Sequence, residues 1–293
     1  MQPVGRFAPS PTGPLHFGSL LAALASYLDI RARKGRWLVR IEDLDPPREQ
    51  PGASTHILKT LEAFGLCWDG EVVYQSQRHS LYQEALGQLR QLNLTYPCNC
   101  SRKQLRTRGA QGYDGYCLQH PPASLDNCAF RVTHPEGTQF FADRIQGRRE
   151  YQWQGHQGDF VIFRRDGLFA YQLAVVVDDA EQGITDILRG SDLIDETPHQ
   201  LLLQSHLGYT QPSYAHIPVI TNAEGQKLSK QNLAPAISGH ERQHLLLRAL
   251  RLLGQDPPAE LEAATTEELL QWAIVHWHIA RVPTVLSLPQ GEE

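Results

Sequence analysis

Two short stretches, 211 positions apart, carry residue types that handle a nucleoside triphosphate. The first is His16-Phe17-Gly18-Ser19, which follows a Pro/Gly-punctuated run from Gly5 to Pro14 and precedes the apolar, Ala/Leu-rich run Leu20 to Leu28. That order reads as strand, turn and helix. A helix start presents unpaired backbone N–H groups and the positive end of the dipole, so it suits a triphosphate, and Gly18 would let a nucleotide approach closely. His16 would reach the phosphates from the helix mouth. The second stretch, Lys227-Leu228-Ser229-Lys230, lies in a loop with Gly225 to flex and two cations to hold pyrophosphate. These are two of only five lysines, against 22 arginines, and lysine offers a compact point charge on a flexible stem where arginine offers a rigid fork. Taken alone, such a loop is as well read as a solvated turn. With His16 upstream, the two stretches describe the halves of one ATP site and adenylate-forming chemistry.

Positioning these residues falls to an alternation of strands and helices suited to a doubly wound α/β fold. The pattern predicts a strand near Val4–Ala8, a helix over Gly18–Arg33, a strand over Trp37–Ile41 and helices over about Ser54–Phe64 and Gln75–Leu92. Leu81, Ala85, Leu86 and Leu89 form the apolar face of the last. Phe160–Phe163 and Tyr171–Val177 read as buried strands that resume the sheet. Residues 95–157 break the pattern, being rich in Cys, Gly, Arg and His, and are expected to form an inserted subdomain between catalytic halves at 1–94 and 158–230. Residues 231–293 hold apolar helical runs at Leu245–Leu253 and around Trp272–Ile279, enough for a small helical C-terminal domain.

The insert contains Cys98-Asn99-Cys100 and Cys117. Three thiolates and one further ligand would close a tetrahedral structural zinc site, with Cys128 or His120 as possible fourth ligands. Cys67 reads instead as a small core residue. Ser101–Arg108 carries four cations and no acid, a candidate RNA-backbone contact set against the plainer reading of a solvated basic loop. Over its 293 residues the chain has 27 basic and 32 acidic side chains, a formal net charge of −5 and 41% hydrophobic residues. It shows no apolar run long enough for a bilayer and no opening signal peptide, so a cytoplasmic protein with no membrane partner is expected. The net charge disfavours broad nonspecific nucleic-acid binding but leaves room for a local basic face serving one RNA.

His16–Ser19 and Lys227–Lys230 resemble the HIGH and KMSKS motifs of class I aminoacyl-tRNA synthetases. Arg6-Phe7-Ala8-Pro9-Ser10-Pro11-Thr12-Gly13, Arg40-Ile41-Glu42-Asp43-Leu44-Asp45 and Leu188-Arg189-Gly190-Ser191-Asp192-Leu193 resemble the glutamyl branch, in the same order. Only 63 residues follow Lys230, so the large anticodon-binding region of a glutamyl-tRNA synthetase is expected to be absent. They hold four arginines, no lysine and eight acidic residues, a poor balance for gripping phosphates. The shortened form resembles the glutamyl-Q tRNA(Asp) synthetase family.

That resemblance implies a Rossmann-type doubly wound parallel sheet with an inserted zinc-type subdomain; a monomer is expected. It also implies L-glutamate, ATP with Mg²⁺, structural Zn²⁺, and tRNA(Asp) containing queuosine as ligands and partners. Glutamate would be activated without tRNA and then attached to queuosine in the anticodon. His16, Lys227 and Lys230 would be catalytic, with Gly18, Ser19 and Ser229 joining them at ATP. Arg6 and Arg189 would meet carboxylate, Glu42 the ammonium group, and Ser10 and Tyr171 would add hydrogen bonds. Tyr113 would be the fourth zinc ligand beside Cys98, Cys100 and Cys117. The rival readings are a compact glutamyl-tRNA synthetase charging the 3′ end of tRNA(Glu), a small nucleotidyltransferase, and a non-catalytic glutamate- or RNA-binding regulator.

Overall fold

The computed structural model describes residues 2–109, 113–222, 226, 237 and 241–289. Strand β1 (Val4–Phe7) leads through helix α1 (Phe17–Arg31) to strand β2 (Arg36–Ile41), which lies parallel to β1 in the register Val4↔Arg36 to Phe7↔Val39. A parallel pair needs a crossover, and α1 supplies it. Gly5 is where helix and strand touch, since a Cβ there would sit 2.4 Å from Cγ1 of Ile30. Leu20, Leu24 and Leu28 on one row of α1 and Ala23, Tyr27 and Ile30 on another are all buried. A helix apolar on so much of its surface must be covered on more than one side.

Helix α2 (Ala53–Ala63) follows, then the short strand β3 (Val73–Tyr74) beside β2, then α3 (His79–Gln91) with Tyr82, Ala85, Leu86 and Leu89 buried. Cys67, expected in the core, is exposed. It follows a tight turn at Gly65, and Leu66 is the residue buried there, while the Cys67 carbonyl accepts from Arg31.

Residues 95–157 divide between two sheets. Strands β4 (Thr95–Cys98) and β5 (Ala129–Val132) are antiparallel, with short helices α4 (Arg102–Thr107) and α5 (Tyr116–Gln119) between them. Next come β6 (Gly137–Asp143) and β7 (Gly147–Trp153), a hairpin that pairs with the large sheet instead. Strand β8 (Phe160–Phe163) returns to β5, so it completes the small antiparallel sheet rather than resuming the large one.

Tyr171–Val177, read as a strand, is the start of helix α6 (Tyr171–Glu181). Leu173 to Val177 are five buried residues in a row, and an apolar run without a period looks the same in a buried helix and a buried strand. Helix α6 packs against α3 and helix α7 (Thr197–Leu207), which bury both sides of that run. Strand β9 (Asp186–Gly190) lies between β1 and β10 (Ser213–Ile217), completing the order β3-β2-β1-β9-β10-β6-β7, parallel except for β7. Strand β11 (Val219–Thr221) pairs with β12 (Ser287–Pro289). Helices α8 (Arg242–Leu252) and α9 (Thr266–His276) place Leu246, Leu250, Leu269 and Ala273 in the same core as α1, forming its outer layer.

Between β1, β2 and α6 lies a row of buried charge. Arg6 donates through Nε and Nη2 to the two oxygens of Asp179, at 3.0 and 3.3 Å, and Arg40 Nη1 donates to Asp179 Oδ1 at 2.8 Å. Neighbouring Asp178 accepts from Arg78 Nε (2.6 Å), Gln75 Nε2 (2.8 Å) and the Tyr82 hydroxyl (2.8 Å). Burial opposes ionisation of Asp179, but Arg6 and Arg40 hold its carboxyl below the usual carboxylate range. Removing one member of such a set strands the others in a low-dielectric interior. Asp179→Ala should therefore cost about 3–5 kcal/mol of folding stability, read as a lower denaturant midpoint with unchanged slope. A loss within about 0.5 kcal/mol, the range of an ordinary surface change, would show that these charges do not depend on Asp179.

Candidate active site

In open α/β sheets, ligands bind beyond the carboxyl ends of the strands, where strand order reverses. Here the sheet runs from β1 to β2 on one side and to β9 on the other, and a cavity of about 780 Å³ opens at that point. Phe7 at the end of β1, Glu42 just past β2, Leu188–Gly190 at the end of β9 and Ile217 of β10 line it, facing the start of α1. His16 caps that helix in an extended conformation, φ −110° and ψ 171°. Its Nδ1 accepts the Ser19 N–H at 3.3 Å, and its Nε2 lies 3.0 Å from Ser19 Oγ. The first turn of α1 holds no acidic residue, so nothing there offsets the positive end of the helix.

His16, Gly18 and Ser19 share this cavity with Arg6, Ser10, Glu42, Tyr171 and Arg189. Motifs separated by more than 180 residues in sequence are thereby brought to one cavity. Lys227, Ser229 and Lys230 lie outside the described residues. On either side of them, Ile220 lines the cavity and the Ile237 N–H donates to the Leu15 carbonyl at 3.1 Å, next to His16.

Arg189 and Glu42 are tightly held in the cavity wall. Arg189 donates from Nε to His216 Nε2 (3.0 Å), from Nη1 to Gln200 Oε1 (2.9 Å), and from Nη2 to Thr197 Oγ1 (3.0 Å) and the Leu193 carbonyl (3.2 Å). The Glu42 side chain is only 8% exposed, with Arg40 Nη2 at 3.4 Å. Burial pushes its carboxyl up to about 7 against the pull of Arg40 and Arg6. Tyr171 is the first residue of α6, and burial raises its phenol. Sequence reading gave no role to Arg48 or Asp192, both of which line the cavity. Arg48 sits in a turn after two prolines and pairs with Asp45. Asp192 was visible within the Leu188–Leu193 motif, and a Cβ at Gly190 would lie 2.5 Å from its Oδ1.

Away from this cavity, the sulfurs of Cys98, Cys100 and Cys117 lie within 4.8 Å of one another. Sulfurs on a tetrahedral zinc with bonds of about 2.3 Å would be about 3.8 Å apart, so the trio fits such an ion. The Tyr113 oxygen accepts the Cys117 N–H at 3.0 Å, beside the trio, and Arg131 lies 3.8 Å over the Tyr113 ring. Of the alternative fourth ligands, the Cys128 thiol donates to the Ser124 carbonyl and His120 stacks on Tyr116. In the basic stretch, Ser101 and Gln104 form a capping box for α4, while Arg108 pairs with Asp114 and lies over Tyr116.

Residues 4–283 match the family model for tRNA synthetases class I (E and Q), catalytic domain. A crystallised glutamate tRNA ligase from Elizabethkingia meningosepticum has the same fold, with a TM-score of 0.82 over 99% of this chain and 67% of that one, at 23% identity. The chain belongs to the class I tRNA synthetases of the E and Q type. Within that class its relatives carry the name glutamyl-Q tRNA(Asp) synthetase, and this is its family. One from Pseudomonas fluorescens is 53% identical, covering 99% of this chain and 96% of that protein. Another, from Thiobacillus denitrificans, is 54% identical over 96% and 95%. Among the described residues no helix is long and apolar enough to cross a membrane.

The raised pKa of Glu42 makes its ionised form a cost to folding. That cost accrues as pH rises from 4.5, where the free side chain ionises, to about 7, where the buried one does. Glu42→Gln should thus stabilise the ligand-free protein at pH about 8 and not near pH 4.5, measured by denaturant melts at both. An equal effect at the two values would mean that Glu42 titrates normally.

Proposed function

We propose that this protein activates L-glutamate with ATP, without tRNA, and transfers the glutamyl group to queuosine in the anticodon of tRNA(Asp). The observation that carries this reading is a single cavity joining a phosphate-suited helix mouth to two arginines and one buried carboxylate. Glutamate brings two carboxylates and an ammonium, and unpaired charge in such a cavity is costly. Arg6 and Arg189 supply the cations and Glu42 the anion, while Ser10 and Tyr171 add hydrogen bonds.

The first step needs no protein nucleophile. An oxygen of the glutamate α-carboxylate attacks the α-phosphorus of ATP, the bond to the bridging oxygen breaks, and pyrophosphate leaves in line. Positioning and charge stabilisation carry the rate. His16 and the α1 backbone, with Gly18 and Ser19, hold the phosphates. Lys227, Ser229 and Lys230 act on the charge that develops on pyrophosphate. Mg²⁺ arriving with ATP supplies further neutralisation of the phosphate oxygens. In the second step a hydroxyl of the queuosine ring attacks the adenylate carbonyl and AMP leaves. The names of relatives more than half identical over nearly the whole chain favour this acceptor over the 3′ end of tRNA(Glu). Zn²⁺ on Cys98, Cys100, Cys117 and Tyr113 would tie the end of β4 to α5, a structural role apart from the chemistry. The expected setting is the cytoplasm.

After pyrophosphate exchange without tRNA is established, labelled glutamate and ATP should label tRNA(Asp) that contains queuosine. The same tRNA without queuosine, and tRNA(Glu), should stay unlabelled; labelling of tRNA(Glu) would make this a compact translational synthetase. Zinc should co-purify with the natural chain and be lost from Cys100→Ser, with some adenylate formation kept. Equal metal content in both would remove the zinc assignment.

A further inference from the structure

The β6–β7 hairpin turns through Arg144-Ile145-Gln146, closed by Gly147 at φ +72°, and each residue of the turn grips a different part of the catalytic core. Arg144 donates to both oxygens of Asp29 on α1, at 2.7 and 2.8 Å, and to Asp186 on β9. Ile145 is buried in the α1 core. The Gln146 amide reaches the His216 and Val285 carbonyls.

Asp143, just before this turn, makes the most consequential contact. Its Oδ1 accepts the N–H groups of Ile145 (3.0 Å), Gln146 (2.8 Å) and His216 (3.2 Å), and its Oδ2 lies 2.6 Å from His216 Nδ1. Both side chains are fully buried. On the far side of the imidazole, Nε2 faces Nε of Arg189 at 3.0 Å. A guanidinium has no acceptor, so His216 Nε2 must accept and Nδ1 must carry the proton that is donated to Asp143. The line therefore admits one arrangement: carboxylate, neutral imidazole protonated at Nδ1, guanidinium. Burial drives His216 toward its neutral form and Arg189 adds to that, against the pull of Asp143. With Gln200, Thr197 and Leu193 on the other donors, one Nη1 hydrogen of Arg189 is left over among the described residues.

We infer that Asp143 and His216 are positioning residues for amino-acid recognition: Asp143 sets the tautomer of His216, and His216 sets the guanidinium of Arg189 at the cavity wall. The inserted hairpin thereby shapes the amino-acid site without touching it. This rests on Arg189 meeting a substrate carboxylate, as in the function proposed above.

The test is ATP–pyrophosphate exchange on the full chain, with KM measured separately for glutamate and for ATP. Asp143→Asn keeps size and lets Oδ1 serve the turn, but its NH2 group faces Nδ1 and forces the proton onto Nε2, against the Arg189 N–H. His216→Phe removes the acceptor, whereas His216→Gln retains one. Asp143→Asn and His216→Phe should raise KM for glutamate about tenfold or more, with KM for ATP within about twofold, and His216→Gln should recover most of the loss. An unchanged glutamate KM, a parallel rise for ATP, or no recovery in His216→Gln overturns the inference. If Asp143→Asn does not fold, the two His216 variants decide. Exchange by the natural chain with some other amino acid alone would sink the glutamate reading and leave the same KM comparison to judge Asp143. No exchange with any amino acid would sink both.

Discussion

Buried guanidinium groups need partners that answer their charge, and for Arg6, which lines the cavity, and the fully buried Arg40 that partner is the carboxylate of Asp179. It binds Arg6 of β1 and Arg40 of β2 at once. Its neighbour Asp178, about 100° further round the helix, serves Arg78, Gln75 and Tyr82 on the other side. One pair of adjacent carboxylates thus fixes α6 to the two strands that begin the fold and to the segment leading into α3. Arg6 enters the cavity with its plane already set by a two-point contact, and Glu42 feels both arginines while remaining hard to ionise. Burial of charge is therefore the condition from which the recognition geometry follows, and weakening any member changes the others.

Asp29 plays the matching role on the opposite side of the sheet's central helix. It accepts from Arg33 of the following turn, from Arg144 of the hairpin and from the Trp277 indole beyond α9. Three regions that look independent along the chain converge on this carboxylate. The helix whose first turn borders the cavity is consequently held near its other end by the hairpin and the C-terminal segment together.

The first half of the fold was legible because its signals are local. A glycine-bearing strand, a Pro/Gly turn and a long apolar helix follow each other within 31 residues, and the observed elements match them closely. Local signals fail where burial is complete on all sides, as in Leu173–Val177, whose β-branched residues suggest a strand although α3 and α7 enclose a helix. They also fail for pairing partners: nothing in Gly137–Trp153 says that β6 will lie beside β10, some 70 residues later. The candidate site divides in the same way. Arg6, His16, Glu42 and Arg189 stand in contiguous motifs that the structure gathers at one cavity, whereas Asp143 and His216 pair across 73 positions and carry no mark of it in their neighbours. Arg48 lay in view after Asp45, but its pairing with that carboxylate gave no sign that it also lines the cavity.

Gly5 has a mechanical meaning. It sets the contact between β1 and Ile30, near the far end of a 15-residue helix whose first turn borders the cavity. A rod of that length has a lever arm of about 20 Å, so a tilt of about 3° at the pivot would sweep its tip by about 1 Å, a displacement large enough to cost about 100-fold in rate where reacting groups must align. The absent side chain of one glycine thus lets β1 and α1 close together, and a side chain placed there would press on the helix at a point nearly its whole length away from the cavity.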